Sequence, residues 1–297
     1  MTVLKVSSKN ALFQQLLALK DNRQKRHKLG LFLVEGTTAI DAAVRHGWQI
    51  QDLLYPAQQR LSAWAQGHLA SGVAERRIEI DAALLAELSE RHEGTELLAV
   101  ARRRESQLEE LTLREPWLIV ALDRPKSPGN VGSIIRTAVS FDATALIITG
   151  HAADPFDPAS VRASVGTLFD LPLVLLHSQE PLLAWAEQQR AQHTLCVLGS
   201  GQHGPDRLGE VDLTGNLLLI LGNETQGMSR AYAERCDRFV HLPTSARQAS
   251  LNVCAAAAIL LYEVQRQRQP LGAPRPSLEA AAGEAAASAA KEVATSA

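Results

Sequence analysis

The second half of the chain alternates short, continuous apolar runs with stretches of helical character. The helical stretches begin with 133–142 and end with a long apolar helix at 251–266. The apolar runs occupy residues 117–123, 145–150, 171–176, 194–199, 217–222 and 239–243. Runs of this length are typical of strands buried on both faces, which occur in parallel sheets covered by helices. The pattern therefore predicts an α/β fold with a parallel sheet.

A similar but smaller alternation comes first. Residues 1–104 predict an α/β domain with strands and helices in turn. Residues 105–116 are polar and predict a linker, which is followed by the second domain at 117–268. Residues 269–297 are rich in proline and alanine and have little apolar surface to bury, so they predict a disordered tail.

Charge is segregated along the chain. The formal net charge is −2, but residues 1–30 hold seven Lys and Arg side chains and one Asp, a net of +6, which leaves −8 for the remainder. The near-neutral total argues against a protein that coats nucleic acid indiscriminately. The basic segment also contains a leucine stripe at near-helical spacing. It predicts either a solvated amphipathic helix or a face that binds phosphates.

Cysteine and hydropathy patterns bear on the compartment. The three cysteines are widely spaced and form no CxxC motif, which favours a reducing environment over a disulfide scaffold. No apolar run reaches the roughly 18 residues of a membrane span, and the first residues do not resemble a secretory leader. We therefore expect a cytoplasmic protein without a membrane partner.

Two glycine-rich segments follow strands. Residues 199–204, GSGQHG, fit the G-x-G-x-x-G pattern, but no helical period follows to bind a dinucleotide's pyrophosphate. At 128–138, PGNVGSIIRTA predicts a turn and then a helix from about Ser133, with free backbone N–H groups facing an anion. Arg136 would lie about one turn into that helix, where its guanidinium suits a phosphate. Spacing alone favours Asn130 as a turn residue and Arg136 as a surface cation.

Three ordered segments resemble the signature motifs of the SpoU (TrmH-type) RNA 2′-O-methyltransferases of the SPOUT superfamily. They are NVGSIIRTA, LGNETQGMS and LPTSARQASLNV, the first, second and third motifs at 130–138, 221–229 and 242–253. The intervening VRASVGTLFDLPLV is similar to the family's linking segment, and the first 100 residues resemble its ribosomal-protein-like substrate-binding domain. The third motif departs from the family pattern at Thr244 and Ala246, and Cys254 follows it where serine is common.

The resemblance implies a parallel α/β sheet with a C-terminal trefoil knot, a homodimer and S-adenosylmethionine as cofactor. It implies a catalytic Arg136, assisted by Asn130, Glu224, Ser250 and Asn252. Asn130 would position Arg136 or the ribose, and Glu224 would orient Arg136 or brace its loop. The cofactor would contact Leu198, Gly199, Gly222, Leu242 and Leu251. The candidate RNA contacts are Lys25, Arg26, Lys28, Arg136 and Arg162.

The implied reaction is methyl transfer to a ribose 2′-hydroxyl, and the N-terminal domain favours ribosomal RNA over transfer RNA. Methylation of transfer RNA and a non-catalytic RNA-binding role are the alternatives. A metal hydrolase using His151, Asp154 and Asp157 is disfavoured, because DPFDP predicts a turn and the histidines lack ligand spacing. We expect no metal.

Overall fold

The computed structural model describes residues 2–90, 94–202, 204–245 and 251–269. Its first part forms a mixed five-stranded sheet in the order β1-β4-β3-β5-β2. Strand β5 runs antiparallel to both of its neighbours, whereas β1, β4 and β3 are parallel. The strands are β1 (Thr2–Val6), β2 (Leu31–Glu35), β3 (Ile50–Pro56), β4 (Ala74–Ile80) and β5 (Leu98–Arg102). The helices are α1 (Ala11–Asp21), α2 (Arg23–Leu29), α3 (Thr37–Arg45), α4 (Ala63–Ser71) and α5 (Ala82–Leu88).

The second part forms a seven-stranded sheet in the order β10-β12-β9-β11-β6-β7-β8, with every neighbouring pair parallel. Its strands are β6 (Leu118–Asp123), β7 (Ala145–Thr149), β8 (Leu173–Leu176), β9 (Leu195–Ser200), β10 (Asp206–Arg207), β11 (Asn216–Leu221) and β12 (Arg238–His241). Its helices are α6 (Pro128–Ser140), α7 (Pro158–Ser164), α8 (Glu180–Arg190), α9 (Arg230–Ala233) and α10 (Val253–Arg268).

The parallel sheet is the one that the apolar runs predict. Every residue of β6, β7 and β11 is buried, because helices cover both faces of these central strands. The α/β class and the parallel sheet are therefore confirmed, while the trefoil knot stays a prediction. The glycine-rich loop after β9 leads into β10 and a short 3-10 turn, so no helix begins there to bind a pyrophosphate.

Helix α6 begins five residues earlier than expected. Pro128 occupies its first turn and the Ser127 hydroxyl accepts a hydrogen bond from the Asn130 backbone N–H, a favourable combination for a helix start. The two glycines in the segment concealed this start. Asn130 therefore lies within the first helical turn, and Arg136 lies more than two turns along instead of one.

The hydropathy pattern missed β1 and β4 of the first sheet and the two-residue β10 of the second. Strand β4 reads AERRIEI and carries charged side chains at four of its seven positions. One of them, Arg76, forms a two-pronged ion pair with the buried Asp52 of β3. Because paired charges replace apolar residues there, the strand has no apolar alternation to detect.

The two parts share one hydrophobic core. Aromatic rings from the first part, Phe32 and Trp48, pack against Phe156 and Phe169 of the second, with centroids 4.9–6.4 Å apart. The Trp48 indole N–H donates to the Phe169 carbonyl at 2.9 Å, and the Arg103 guanidinium lies 4.6 Å from the Phe156 ring centroid. The parts are thus joined by side-chain packing as well as by the connecting segment.

Within the described ranges, no helix combines the length and the hydropathy that a bilayer crossing requires. The tail predicted from residue 269 lies outside the described residues, except for Gln269 itself.

Close packing of α6 on α7 predicts a sharp difference between two glycines of one helix. A Cβ on Gly132 would lie 2.1 Å from the Ser160 carbonyl oxygen, whereas one on Gly129 would meet nothing nearer than 3.8 Å. We expect Gly132→Ala to lower the free energy of unfolding by about 1–3 kcal/mol or more, because the helices must separate. Denaturant unfolding of both alanine variants measures this. Equal stability of Gly132→Ala and Gly129→Ala would refute the close packing.

Candidate active site

The parallel sheet gathers its chemically distinctive residues at one edge. Because all seven strands are parallel, their carboxyl ends lie together, which is where ligands bind in α/β sheets. The first motif follows β6, the second follows β11, and the third connects β12 to α10. Residues 246–250 of the third motif, with Ala246 and the predicted Ser250, lie outside the described residues.

Asn130, in the first motif, contacts the second motif and the residue that follows the third. Its Nδ2 donates to Glu224 Oε1 of the second motif at 2.9 Å. Its Oδ1 accepts from the thiol of Cys254, directly after the third motif, at 3.4 Å. The donor and acceptor sides of one amide are therefore used by residues of two distant loops, and this fixes the orientation of the side chain. Sequence reasoning had left open whether Asn130 was only a turn residue.

Glu224 braces the start of α6. Its carboxylate also accepts the backbone N–H groups of Lys126 and Ser127, at 2.9 and 3.3 Å. Partial burial raises its pKa, but these hydrogen bonds and that from Asn130 outweigh burial, so the pKa of Glu224 lies below its ordinary value. A carboxylate of the chain itself thus takes up N–H groups that the sequence suggested were free for an external anion, and that expectation is corrected.

Cys254 acts as a donor in this network. Burial, together with the negative charge of Glu224, raises the pKa of its thiol, so the thiol stays protonated at neutral pH. The neighbouring Asn252 caps α10, since its Oδ1 accepts the Cys254 backbone N–H at 2.7 Å. Asn252 therefore starts helix α10 and fixes the position of Cys254.

Arg136 is left free by this arrangement. It lies exposed on α6, and its guanidinium forms no hydrogen bond or ion pair with any residue in the described part of the chain. Of the two roles considered for Glu224, the contacts correspond to bracing the loop and not to orienting Arg136. An exposed, unengaged arginine beside a fixed polar network is available to an anionic ligand.

A second brace ties the loops together, and it was missed from the sequence. Asp123, buried at the end of β6, pairs with Arg124 and accepts the Ser229 backbone N–H at 2.6 Å. Asn223 Nδ2 donates to the Arg124 carbonyl. The available signal was the one acidic residue that ends an otherwise apolar strand, since a buried carboxylate needs partners.

The predicted cofactor residues lie at or near this edge of the sheet, and they differ in how far they are buried. Leu198 is fully buried, backbone included, and lies in β9 between β11 and β12. Gly199, the next residue of that strand, is also buried, Leu242 is half-buried, and Leu251 is 40% exposed. A Cβ on Gly222 would lie 2.3 Å from the Met228 nitrogen, so the loop itself requires that glycine. The set combines bare backbone with apolar side chains and carries no charge, which suits a flat, neutral heterocycle.

The predicted RNA contacts divide into surface and interior residues. Lys25 and Lys28 are exposed on α2, and Arg162 is exposed on α7, with its guanidinium 3.3 Å from the Glu90 carbonyl. Arg26 is only 2% exposed and forms ion pairs with Asp154 and Asp157. Its prediction as an RNA contact is wrong, because these carboxylates bind the guanidinium internally. Asp154 and Asp157 are the two aspartates of the disfavoured metal alternative, and both are thus engaged by Arg26.

Helix α2 lies near the active edge. Arg26 binds the segment that follows β7, and the Arg23 guanidinium donates to the Ala152 carbonyl in that segment. The Ala153 backbone N–H in turn donates to the Pro125 carbonyl, in the loop before α6, at 2.7 Å. The basic helix is therefore adjacent to the loops that hold Asn130.

The Asn130–Glu224 hydrogen bond predicts a pKa change. Asn130→Ala removes a donor to the carboxylate, so the pKa of Glu224 should rise toward the ordinary glutamate value of about 4.3. In the wild-type protein, the contribution of the Glu224 carboxylate to stability is complete at pH values above the ordinary glutamate pKa. It is lost as the pH falls through the lowered pKa of Glu224. NMR titration of the Glu224 carboxyl carbon measures its pKa in the wild-type protein and in Asn130→Ala. Ser140→Ala, on the same helix, is the control, and equal pKa values in all three proteins would contradict the assigned contact.

Comparison with known proteins gives concordant matches to both parts of the chain. Residues 117–262 match the SpoU rRNA Methylase family, and residues 10–99 match the SpoU L30e-like domain. The 23S rRNA (uridine(2479)-2′-O)-methyltransferase of Streptomyces viridochromogenes is 44% identical over 89% of this chain and 92% of its own length. The 23S rRNA (guanosine-2′-O-)-methyltransferase RlmB of Pseudomonas putida is 32% identical over 80% and 96%.

Solved structures agree with these matches. The SpoU methyltransferase AviRb from Streptomyces viridochromogenes, crystallised in complex with AdoMet, superposes with a TM-score of 0.83 at 44% identity. The superposition covers 87% of this chain and 98% of that one. The similarity therefore spans both sheets of the fold and not the catalytic edge alone.

Proposed function

The chain belongs to the SpoU rRNA Methylase family, and we propose from this that it transfers a methyl group from S-adenosylmethionine to a ribose 2′-hydroxyl of ribosomal RNA. The observation that carries the proposal is that Asn130 hydrogen-bonds to Glu224 of the second motif and to Cys254, directly after the third, with an unengaged Arg136 on the same helix. Its relatives are named as 23S rRNA methyltransferases, which favours ribosomal over transfer RNA. The division at 105–116 into RNA-binding and methyltransferase parts, and a cytoplasmic location, belong to the same proposal.

The cofactor-binding residues fit S-adenosylmethionine. When bound, this cofactor supplies an electrophilic methyl group on a positively charged sulfur. Leu242 and Leu251 offer apolar surface to the adenine, and the loop backbone at Gly222 offers hydrogen-bonding groups, whereas Gly199 is buried within the sheet. The absence of cationic side chains among these residues suits a sulfonium, since a nearby arginine would repel it.

Arg136 would bind the RNA backbone and assist the reacting hydroxyl. A guanidinium is always protonated in proteins, so Arg136 does not act as the base. Its role is to hold the phosphate beside the target ribose and to stabilise the negative charge that develops on the 2′-oxygen, while a phosphate or water takes the proton. Alignment of this kind contributes up to about 7–11 kcal/mol in favourable intramolecular reactions.

The polar network would maintain this alignment. Glu224 and Asn130 hold the first turn of α6, so they fix the helix from which Arg136 projects. Asn252 fixes the start of α10 and thereby the position of Cys254 against Asn130. Together with Ser250, these residues would shape the pocket for the ribose.

Replacing Arg136 tests the assignment. Arg136→Ala should lower kcat by roughly 10²–10³-fold, as loss of one stabilising donor does elsewhere, and leave S-adenosylmethionine affinity unchanged. Methyl incorporation into 23S rRNA and calorimetry measure the two effects. Arg114→Ala is the matched control, because Arg114 is also exposed but precedes β6 at the opposite edge of the sheet. Near-wild-type methyl transfer by Arg136→Ala would overturn its catalytic role.

The substrate class has its own readout. An rRNA fragment with a single 2′-deoxy nucleotide at the target should bind but accept no methyl group, because only the reacting hydroxyl is missing. Mass-spectrometric mapping in a deletion strain identifies the nucleotide. Marks lost from transfer RNA alone would overturn the rRNA assignment.

Lys25 and Lys28, with Arg162, are the proposed cationic RNA contacts. Lys25→Glu combined with Lys28→Glu should weaken rRNA binding and flatten the slope of log K against log salt by roughly 0.7–0.9 per lost phosphate contact. Filter binding across salt concentrations measures this. Arg114→Glu with Arg235→Glu makes the same charge change before β6 and β12, at the opposite edge. An equal loss of rRNA binding in both double variants would show that net charge alone causes the weakening.

A homodimer through α10 is also proposed. Ile259 and Tyr262 are 43% and 57% exposed on this helix, and with the exposed Ala255 they form an outward apolar stripe beside the third motif. Such a stripe is typical of a helix that packs against a partner. Ile259→Glu with Tyr262→Glu should shift sedimentation from dimer to monomer, because both charges would be buried. A wild-type monomer at micromolar concentration would contradict the proposal.

A further inference from the structure

Helix α2 carries the two proposed RNA-binding lysines but has no apolar anchor. Arg26 is its one buried residue, and the other six are exposed, including Leu29 at 37%. A seven-residue helix is too short to be stable alone, so its position depends on tertiary contacts. The tertiary contacts of α2 are made by charged side chains, namely Arg26 and also Arg23, whose guanidinium donates to the Ala152 carbonyl.

Arg26 connects α2 to both parts of the molecule. Its Nη1 donates to the carbonyls of Leu19 and Lys20 in α1, at 3.0 and 2.9 Å. Its Nε and Nη2 donate to the carboxylates of Asp154 and Asp157, at 2.7 and 2.9 Å. Four acceptors in different directions require the planar fork of arginine, which the single ammonium of lysine does not reproduce.

The two aspartates continue the connection toward the active site. Asp157 Oδ1 also accepts the Ala159 backbone N–H and so caps α7. Helix α7 packs tightly on α6, where the absence of a Cβ on Gly132 admits the Ser160 carbonyl. Helix α6 carries Arg136. A continuous series of hydrogen-bonded and close-packed groups therefore runs from α2 to Arg136.

We propose that Arg26 is a positioning residue for RNA, which holds the Lys25 and Lys28 surface at a fixed place relative to Arg136. Two RNA contacts then act on one bound substrate, although they lie in different parts of the chain. This inference rests on the proposed function. It assigns to Arg26 an effect on RNA without direct contact, opposite to what its place in a basic cluster suggests.

A double-mutant cycle tests the coupling. Lys25→Ala with Lys28→Ala should raise KM for rRNA about tenfold in the wild-type background and less than twofold in Arg26→Lys, which keeps the charge but loses the fork. Arg26→Lys alone should raise KM with little change in kcat or S-adenosylmethionine affinity. Arg76→Lys is the matched control, since Arg76 pairs with the buried Asp52 inside the first sheet. In that background the tenfold effect should persist.

Hydrogen exchange gives a readout that is independent of activity. Arg26→Lys should increase amide exchange in α2 selectively, leaving α1 and α6 unchanged, and Arg76→Lys should not. If Arg26→Lys fails to fold, Asp157→Asn serves instead, because its amide oxygen still caps α7 while the charge is lost.

The outcomes separate the two hypotheses. An equal effect of the lysine changes in both backgrounds, or unchanged exchange in α2, overturns the role of Arg26. Selective exchange in α2 combined with no rRNA methylation by the wild-type enzyme overturns the proposed function, and with it the RNA role of Arg26, while the anchoring of α2 stands.

Discussion

The uniform direction of the seven-stranded sheet is the constraint on which the active site depends. Loops that follow β6, β11 and β12 lie at one edge because their strands run the same way, although 94 residues separate Asn130 from Glu224 and 124 separate it from Cys254. An antiparallel strand among them would have carried one motif to the opposite edge. The buried, fully apolar central strands make this arrangement rigid, so the polar network can be maintained within hydrogen-bonding distance.

The site is organised around satisfied polar groups. The Glu224 carboxylate accepts hydrogen bonds from the backbone N–H groups before α6, and Asp123 pairs with Arg124. The Asn130 amide uses both its donor and its acceptor. Each group left unpaired in such a setting would cost about 1–3 kcal/mol or more. The Arg136 guanidinium has no partner among the described residues. The contrast between this hydrogen-bonded frame and the unengaged guanidinium distinguishes the proposed ligand-binding group from its supports.

Charge counting from the sequence pointed to one region and included one residue that the fold buries. The +6 segment forms β1, α1 and α2, and α2 lies near the active edge. Arg26 nevertheless belongs to the interior, because Asp154 and Asp157 compensate it. Removing one partner of such a buried pair costs about 3–5 kcal/mol, so both aspartates are explained as partners of Arg26.

The sequence by itself determined the parallel sheet, the order of the motifs and the residue types at the site. Continuous apolar runs and ordered local motifs encode these features within short windows. Only the tertiary structure decided that α6 begins at Pro128, that β4 is a strand of paired charges, and that Glu224 braces a loop. It also decided that Arg26 is buried. In each case the deciding contact joins residues distant in sequence, or it is a hydrogen bond between a capping side chain and the backbone. Neither hydropathy nor spacing reports which charges and hydrogen bonds are satisfied within the fold.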